Sequence, residues 1–315
     1  MSRRGREQSL ITIVGPTGVG KTALAIELAE RINGEIVSAD SRQIYRGMDI
    51  GTGKPTSDQQ ARVRHHLIDH VDPDRPYTLA EYQADALQAI ADIWEGGRQP
   101  LLVGGTGLYI RAVTDGLVIP AVAPDAVLRA ELEARAAREG GGALYDELRQ
   151  IDPEAAARID PRNVRRTIRA LEVQLSTGEK FSALGRVQPP SFAVRRVGLT
   201  MPRELLYRRT DQRVDEMIRR GWLEEVRELA AKYAWSLPAM SSLGYAQMGA
   251  VLRGEMSLEE AAQSIKYHTH RFVRHQYAWF RPTDTRLEWF DMARVSMGAA
   301  IDALLHQLDA PSVTR

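Results

Sequence analysis

Residues 10 to 117 alternate short apolar runs with stretches of helical periodicity. Ile11-Thr12-Ile13-Val14 is too short for a helix and predicts a buried strand. Ala23 to Ala29 carries apolar positions at helical spacing and predicts the helix that follows it. Glu35 to Ser38 predicts a second strand, ending at Asp40, and Gln99 to Val103 a third, ending in Gly104-Gly105-Thr106-Gly107. Between these two lies a helix opening at Tyr77 to Tyr82 and running to about Trp94, with Thr78 as N-cap. A further helix begins at Leu108. Strand and helix in alternation predict a parallel sheet with helices on both faces.

The texture changes near Pro120. Helical patterns cover 124–138, 143–150, 153–159 and 163–175, punctuated by Gly140-Gly141-Gly142 and Gln188-Pro189-Pro190. Arg196 to Thr200 predicts a strand returning to the sheet. Helices are then expected at 203–220, 222–233, 245–253, 258–280 and 294–308, with an edge strand at 287–290. The expected fold is therefore α/β, a phosphate-loop NTPase-like parallel sheet core flanked by helices. Residues 1–118 and 195–315 form that core, and 119–194 an all-helical insertion. No internal repeat interrupts this plan.

Composition narrows the classes. Hydrophobic residues are 43%, charged residues 26% and the net charge is +1, so no global basic excess advertises nucleic acid. Residues 195–281 are locally positive, with 15 Lys/Arg against 10 Asp/Glu. There is no cysteine, which excludes disulfides and thiolate zinc sites and fits a reducing, cytoplasmic setting. No apolar stretch approaches the roughly 18 residues of a membrane span. The basic start, Met1 to Arg6, reads as part of a loose tail of about nine residues rather than a signal peptide.

The candidate chemistry gathers at the strand ends. Gly15-Pro16-Thr17-Gly18-Val19-Gly20-Lys21-Thr22 fits the phosphate-loop pattern and stands between a strand end and a helix start, where backbone N–H groups aim at an anion. Lys21 adds a point charge, and the Thr22 hydroxyl suits Mg²⁺. Asp40 has three readings: a carboxylate holding Mg²⁺ through water, a general base beside phosphate, or a turn residue. The third strand ends without an aspartate, which weakens an ordinary ATPase reading. Arg162, Arg165, Arg166 and Arg169 share one helix face, suited to phosphates or to solvent. Arg213 has Asp211 and Asp215 only at i±2, leaving it free for a ligand. His65, His66 and His70 beside Asp69 and Asp72, and His268, His270 and His275, have no metal-motif spacing and read as satisfied or solvent-facing. Tyr267, Phe272, Tyr277, Trp279 and Phe280 read as packing residues of a long helix rather than base-stacking platforms.

Together with Ser38 to Thr52, His66-Leu67-Ile68-Asp69, Arg169 to Val173 and Arg213 to Met217, these motifs resemble, in order from about residue 11 to 290, the tRNA dimethylallyltransferase (isopentenyl-tRNA transferase) family in its bacterial form. The resemblance implies transfer of a dimethylallyl group from dimethylallyl pyrophosphate to the exocyclic amine of the adenosine 3′ to the anticodon. It implies Asp40 as general base, and catalytic support from Thr106 and Arg213. Gly15, Thr17, Gly18, Gly20, Lys21, Thr22 and Arg213 would hold pyrophosphate, with Thr22 near Mg²⁺ as the cofactor. Asp40, Ser41, Arg42, Gln43, Thr106, Arg165, Arg166, Arg169, Gly244 and Tyr245 would meet the tRNA anticodon stem–loop, the chain acting as a monomer. Two departures stand out. His275 occupies a place where the family is often basic, and Gly53 one where alanine is common, a change expected to matter little. A phosphate-loop small-molecule kinase, an enzyme prenylating free adenine nucleotide and a non-enzymatic RNA-binding switch remain as other readings.

Overall fold

A computed structural model of the chain describes residues 8–119, 125–183 and 187–309. The expected N-terminal tail lies mostly outside the described residues, and its last residue, Ser9, already belongs to a strand. The chain divides into two compact units, Met1–Thr114 with Pro190–Arg315, and Asp115–Pro189. The second unit starts and ends a few residues earlier than the sequence pattern suggests.

The first unit holds one parallel sheet of six strands: β1 Ser9–Val14, β2 Gly34–Ala39, β3 His65–His66, β4 Gln99–Gly104, β5 Ala193–Thr200 and β6 Glu288–Asp291, in the order β3-β2-β4-β1-β5-β6. Pairing is in register from Ile11 with Leu101 to Val14 with Gly104 on one side of β1, and from Ser9 with Ala193 to Val14 with Gly198 on the other. Helices cover both faces, which is why β1 is apolar at nearly every position. Ile11, Ile13, Leu101, Val103, Val197 and Leu199 pack on one face against α1 (Lys21–Ile32) and α13 (Met297–Asp309). Leu10, Val14, Val37 and Leu102 pack on the other against α3 (Leu79–Glu95) and α4 (Gly107–Thr114). Thr78 caps α3 as expected, accepting from Glu81 N–H while Glu81 answers with a carboxylate on Thr78 N–H. Two short elements escaped the pattern, α2 (Ser57–Arg62) and β3, because six and two residues are too few to show a period.

The C-terminal part of this unit adds α9 (Arg203–Arg219), α10 (Trp222–Ala230), α11 (Tyr245–Leu252) and α12 (Leu258–Trp279). They share a core of Val214, Met217, Trp222, Val226, Met248 and Ile265 with Ile44 and Met48 of the loop after β2. α12 departs from expectation. Phe280 is buried and Tyr277 partly so, but Tyr267, Phe272 and Trp279 are 62%, 44% and 47% exposed. The buried line of α12 runs through Ala261, Ile265, Val273 and Gln276, and these three aromatic residues stand off it.

The second unit is all-helical: α5 (Ala126–Glu139), α6 (Gly141–Ile151), α7 (Pro153–Arg158) and α8 (Val164–Thr177), followed by a single 3₁₀ turn at Phe181–Ala183. Leu132, Leu144, Leu148, Ile159, Ile168 and Leu171 form its core. Asp125, Asp152 and Asn163 cap its helices through their side chains.

Candidate active site

Ligands of open parallel sheets sit beyond the carboxyl ends of the strands. The phosphate loop leaves β1 there and enters α1, whose first turn has no acidic residue and whose N-cap, Gly20, offers no side-chain cap. The N–H groups of Gly18, Gly20, Lys21 and Thr22 meet no acceptor among the described residues, so they remain open to an anion. Thr17 differs from the expectation, because its N–H is already given to Gln276 Oε1 at 2.8 Å. Lys21 Nζ donates to Pro16 O at 2.9 Å. Burial lowers its pKa to about 8, against the opposing pull of Asp40, with Arg213 pushing further down. A cation so disfavoured in the free protein is one that an arriving anion stabilises. Thr22 Oγ1 has no partner among the described residues.

Asp40 follows β2 directly. Its Oδ1 accepts the N–H of Arg42 at 2.9 Å, an Asx turn that fixes the carboxylate. Its surroundings are aromatic. Tyr82 and Tyr109 stack at 3.7 Å, and burial holds both phenols above their ordinary range, so they stay neutral. Thr106 stands at the end of β4. Its N–H donates to Ala39 O at 3.1 Å and its Oγ1 accepts Ser41 N–H at 3.1 Å, tying the β4 end to the residue after Asp40.

Arg213 projects from α9 and donates to Gly53 O at 3.2 Å. Asp211 is taken by His270 at 2.7 Å and Asp215 by Lys266 at 2.7 Å, so neither neutralises Arg213, as the spacing suggested. Burial lowers the Arg213 pKa, and Asp40 offsets this. Gly53 lies directly against this guanidinium. It has φ +60°, and a Cβ there would lie 1.6 Å from Arg213 Nη2, so an alanine would move the end of the arginine side chain.

The loop from Asp40 to Lys54 is held by groups the sequence reading did not single out. Glu225 on α10 accepts three consecutive N–H groups, of Asp49 at 2.9 Å, Ile50 at 2.6 Å and Gly51 at 3.1 Å. Buried Lys54 donates to Tyr45 O and pairs with Asp49 and Asp69, each at 2.5 Å. Gln43 spends its amide on Thr52 O and Gly53 O rather than facing outward. Ser41 is half-buried beside Thr106, while Arg42 reaches Pro238 O at 3.2 Å. Tyr245 and Gly244 correct an expectation. Both are buried, with Tyr245 giving its hydroxyl to Glu225 at 2.6 Å and Gly244 lying against the Trp222 ring, so neither presents a surface to RNA. Their exposed neighbours are Ser241, Leu243 and Ala246.

In the helical unit the arginine stripe is smaller than its spacing implied. Asn163 caps α8, so Arg162 lies before the helix and pairs with Asp160 at 2.8 Å. Arg169 pairs at 2.8 Å with Glu172, a buried carboxylate that also holds Arg129. Arg165 and Arg166 remain exposed, with no ion pair among the described residues. The histidines have partners of their own: His66 with Glu35 at 2.6 Å, His70 with Asp85 at 2.9 Å, and His268 with Ser264 O at 2.7 Å. Among the described residues no group of three or more His, Asp or Glu is placed to hold a metal ion.

A phosphate loop, a fixed carboxylate two strands away and an arginine free of acids, all in the first unit, define a phosphate-loop enzyme. The acid that ordinarily ends the strand beside the loop is absent, since β4 ends in glycine. The chain belongs to the IPP transferase family, whose model matches residues 43–283. It is 52% identical over 290 residues to a tRNA dimethylallyltransferase of Thermomicrobium roseum, covering 92% of this chain and 88% of that one. It is 55% identical over 273 residues to the tRNA dimethylallyltransferase of Roseiflexus sp. strain RS-1, covering 86% and 90%. Among solved structures, the full-length tRNA isopentenylpyrophosphate transferase of Bacillus halodurans matches with TM-score 0.72 and 41% identity, over 96% of each chain. A eukaryotic dimethylallyltransferase captured acting on tRNA matches with TM-score 0.81 and 25% identity, over 98% of this chain and 81% of that one.

Proposed function

We infer that this chain transfers a dimethylallyl group from dimethylallyl pyrophosphate to the exocyclic amine of the adenosine on the 3′ side of the anticodon in tRNA. One observation carries the reading: Asp40 stands fixed beside the cations Lys21 and Arg213, while the strand next to the phosphate loop ends without an acid. That arrangement suits a leaving pyrophosphate and a proton to be removed, rather than water attacking a phosphate.

The open N–H groups, Lys21 and Arg213 bind the pyrophosphate and stabilise the charge that grows on it as the allylic C–O bond breaks. The amine nitrogen forms the new C–N bond, and Asp40 takes its proton. The adenine amine is a weak nucleophile, because its lone pair is delocalised into the ring, so departure of pyrophosphate leads. Thr106 holds the strand ends in register and stands beside Asp40. Mg²⁺ fits the donor set. Among the described residues the Thr22 hydroxyl is a hard oxygen without a partner and no carboxylate cluster stands ready for a metal, so the remaining ligands would be phosphate oxygens and water. When bound, the ion neutralises charge on the pyrophosphate. Arg165 and Arg166 supply phosphate contacts to the tRNA, and the target base is read unstacked from the loop. Among the described residues no helix is long and apolar enough to cross a membrane, and the reading is of a monomer working in the cytoplasm.

The test supplies labelled dimethylallyl pyrophosphate, Mg²⁺ and either unmodified tRNA or free AMP, with Asp40→Ala as control. Label entering tRNA and lost in the variant is expected. Label on AMP alone would assign a free-nucleotide prenyltransferase, and ATP consumption without label transfer a kinase.

A further inference from the structure

α12 carries one amide that reaches into the site from 259 residues away in sequence. Gln276 is 5% exposed. Its Oε1 accepts Thr17 N–H in the phosphate loop at 2.8 Å, and its Nε2 donates to Gly105 O at the end of β4 at 3.2 Å. The partners settle the orientation of the amide, because a backbone N–H only donates and a carbonyl only accepts. Three residues on, Trp279, half-exposed at the edge of the buried line of α12, lies with one side of its ring against Gly107. Gly105 and Gly107 flank Thr106, and both owe their identity to this approach. A Cβ on Gly105 would lie 2.2 Å from Gln276 Nε2, and one on Gly107 would lie 2.4 Å from the Trp279 ring. The helix is anchored beside the same strand ends a second time, where the Tyr277 hydroxyl donates to Met201 O at 3.3 Å and meets Thr200 Oγ1 at 3.1 Å.

We propose that Gln276 is a positioning residue that latches the phosphate loop to the Gly105-Thr106-Gly107 turn, setting the loop for pyrophosphate and Thr106 beside Asp40. The proposal rests on the pyrophosphate reading of the loop. Thr17 N–H, if unlatched, is a half-buried donor with no other acceptor among the described residues. The loop then turns to satisfy it, and its open N–H groups lose their common aim.

The experiment compares the full chain with Gln276→Met, which keeps length without either hydrogen bond, and Gly105→Ala, which leaves Gln276 in place but fills its seat. Calorimetry with inorganic pyrophosphate and Mg²⁺ reads the loop, steady-state kinetics read kcat and KM for tRNA, and a melt reads the fold. Both variants are expected to weaken pyrophosphate binding about tenfold, the effect of losing the one hydrogen bond that Gln276 makes to the loop. They are also expected to lower kcat by about tenfold or more while changing KM for tRNA less than about twofold. Unchanged pyrophosphate affinity in both variants overturns the proposal, whether KM for tRNA rises or only the melt falls. A wild-type chain that binds pyrophosphate yet labels no tRNA sinks the functional reading, and calorimetry alone then decides the latch.

Discussion

Lys21 gives the most quantitative test of the site. Burial lowers its pKa from 10.5 to about 8 in the free protein. At about 1.36 kcal/mol per unit, this shift represents an upper bound of about 3 kcal/mol held against the charged form. Because the folded pKa is depressed, the cost is present below pH 8 and is relieved as pH rises toward 10.5. Pyrophosphate reverses the balance, since a bound anion favours the ammonium. Binding above pH 8 must therefore take up a proton, and affinity falls as the free protein loses it. With a pKa of about 8, the loss is slight at pH 7.5 and about tenfold at pH 9. The second ionisation of the substrate phosphate, near pH 6, is complete below this window. The assay is calorimetric titration of dimethylallyl pyrophosphate with Mg²⁺ between pH 7 and 9.5, in buffers of differing ionisation enthalpy to count the proton. Lys21→Met should bind about tenfold or more weakly at pH 7 and lose the slope above pH 8. A flat wild-type profile, or the same slope in Lys21→Met, would refute the argument.

Gly53→Ala should cost about 1–2 kcal/mol for placing a side chain at φ +60° and, by displacing Arg213, cut kcat/KM about tenfold or more, read from steady-state kinetics beside a melt. Glu225→Gln leaves one acceptor oxygen where two serve three N–H groups, so a loss of about 1–3 kcal/mol is expected by denaturant titration, with faster amide exchange at Asp49 to Gly51. A variant exchanging as slowly as wild type would show that the loop holds itself. Arg165→Ala with Arg166→Ala should weaken tRNA binding and flatten its dependence on log salt by about 1–2, leaving pyrophosphate affinity unchanged. An unaltered salt slope would place the tRNA phosphates elsewhere.

What the sequence disclosed was local. The phosphate loop, Asp40 and Thr106 each stand at the end of an apolar run, and a parallel sheet brings strand ends together whatever the strand order. Freedom of Arg213 was legible from spacing alone, because i±2 residues on a helix face apart. The contacts of Glu225 and Gln276 were not legible, since each acts on backbone 171 or more residues away. α12 misled for a related reason. Phe272 and Trp279 stand one residue from Val273 and Phe280, so an apolar count could not tell the buried line from its exposed neighbours. The arginine stripe shrank because Asn163 starts α8 two residues late for Arg162, and because Glu172 lies at i+3 from Arg169.

The same distinction explains how a phosphate-loop sheet comes to serve an alkyl transfer. In a hydrolase the strand beside the loop delivers an acid to the metal and the phosphate. Here β4 ends in Gly104, and a Cβ at that place would lie 2.1 Å from Ala39 O. The glycine lets β4 press against β2 where Asp40 emerges, and Thr106 N–H then bonds Ala39 O. The acid has in effect moved one strand outward. It is held by an Asx turn within the field of the stacked phenols of Tyr82 and Tyr109, which stay neutral. A carboxylate so placed is removed from the position at which a metal-assisted water would need it, yet it remains within the field of Lys21 and Arg213. Moving the acid back should therefore abolish transfer: Asp40→Asn with Gly104→Asp is expected to label no tRNA, and Gly104→Asp alone to lose activity by parting β4 from β2. Full activity in the double variant would show that the proton leaves by another group than Asp40, and full activity in Gly104→Asp alone that β4 need not press against β2.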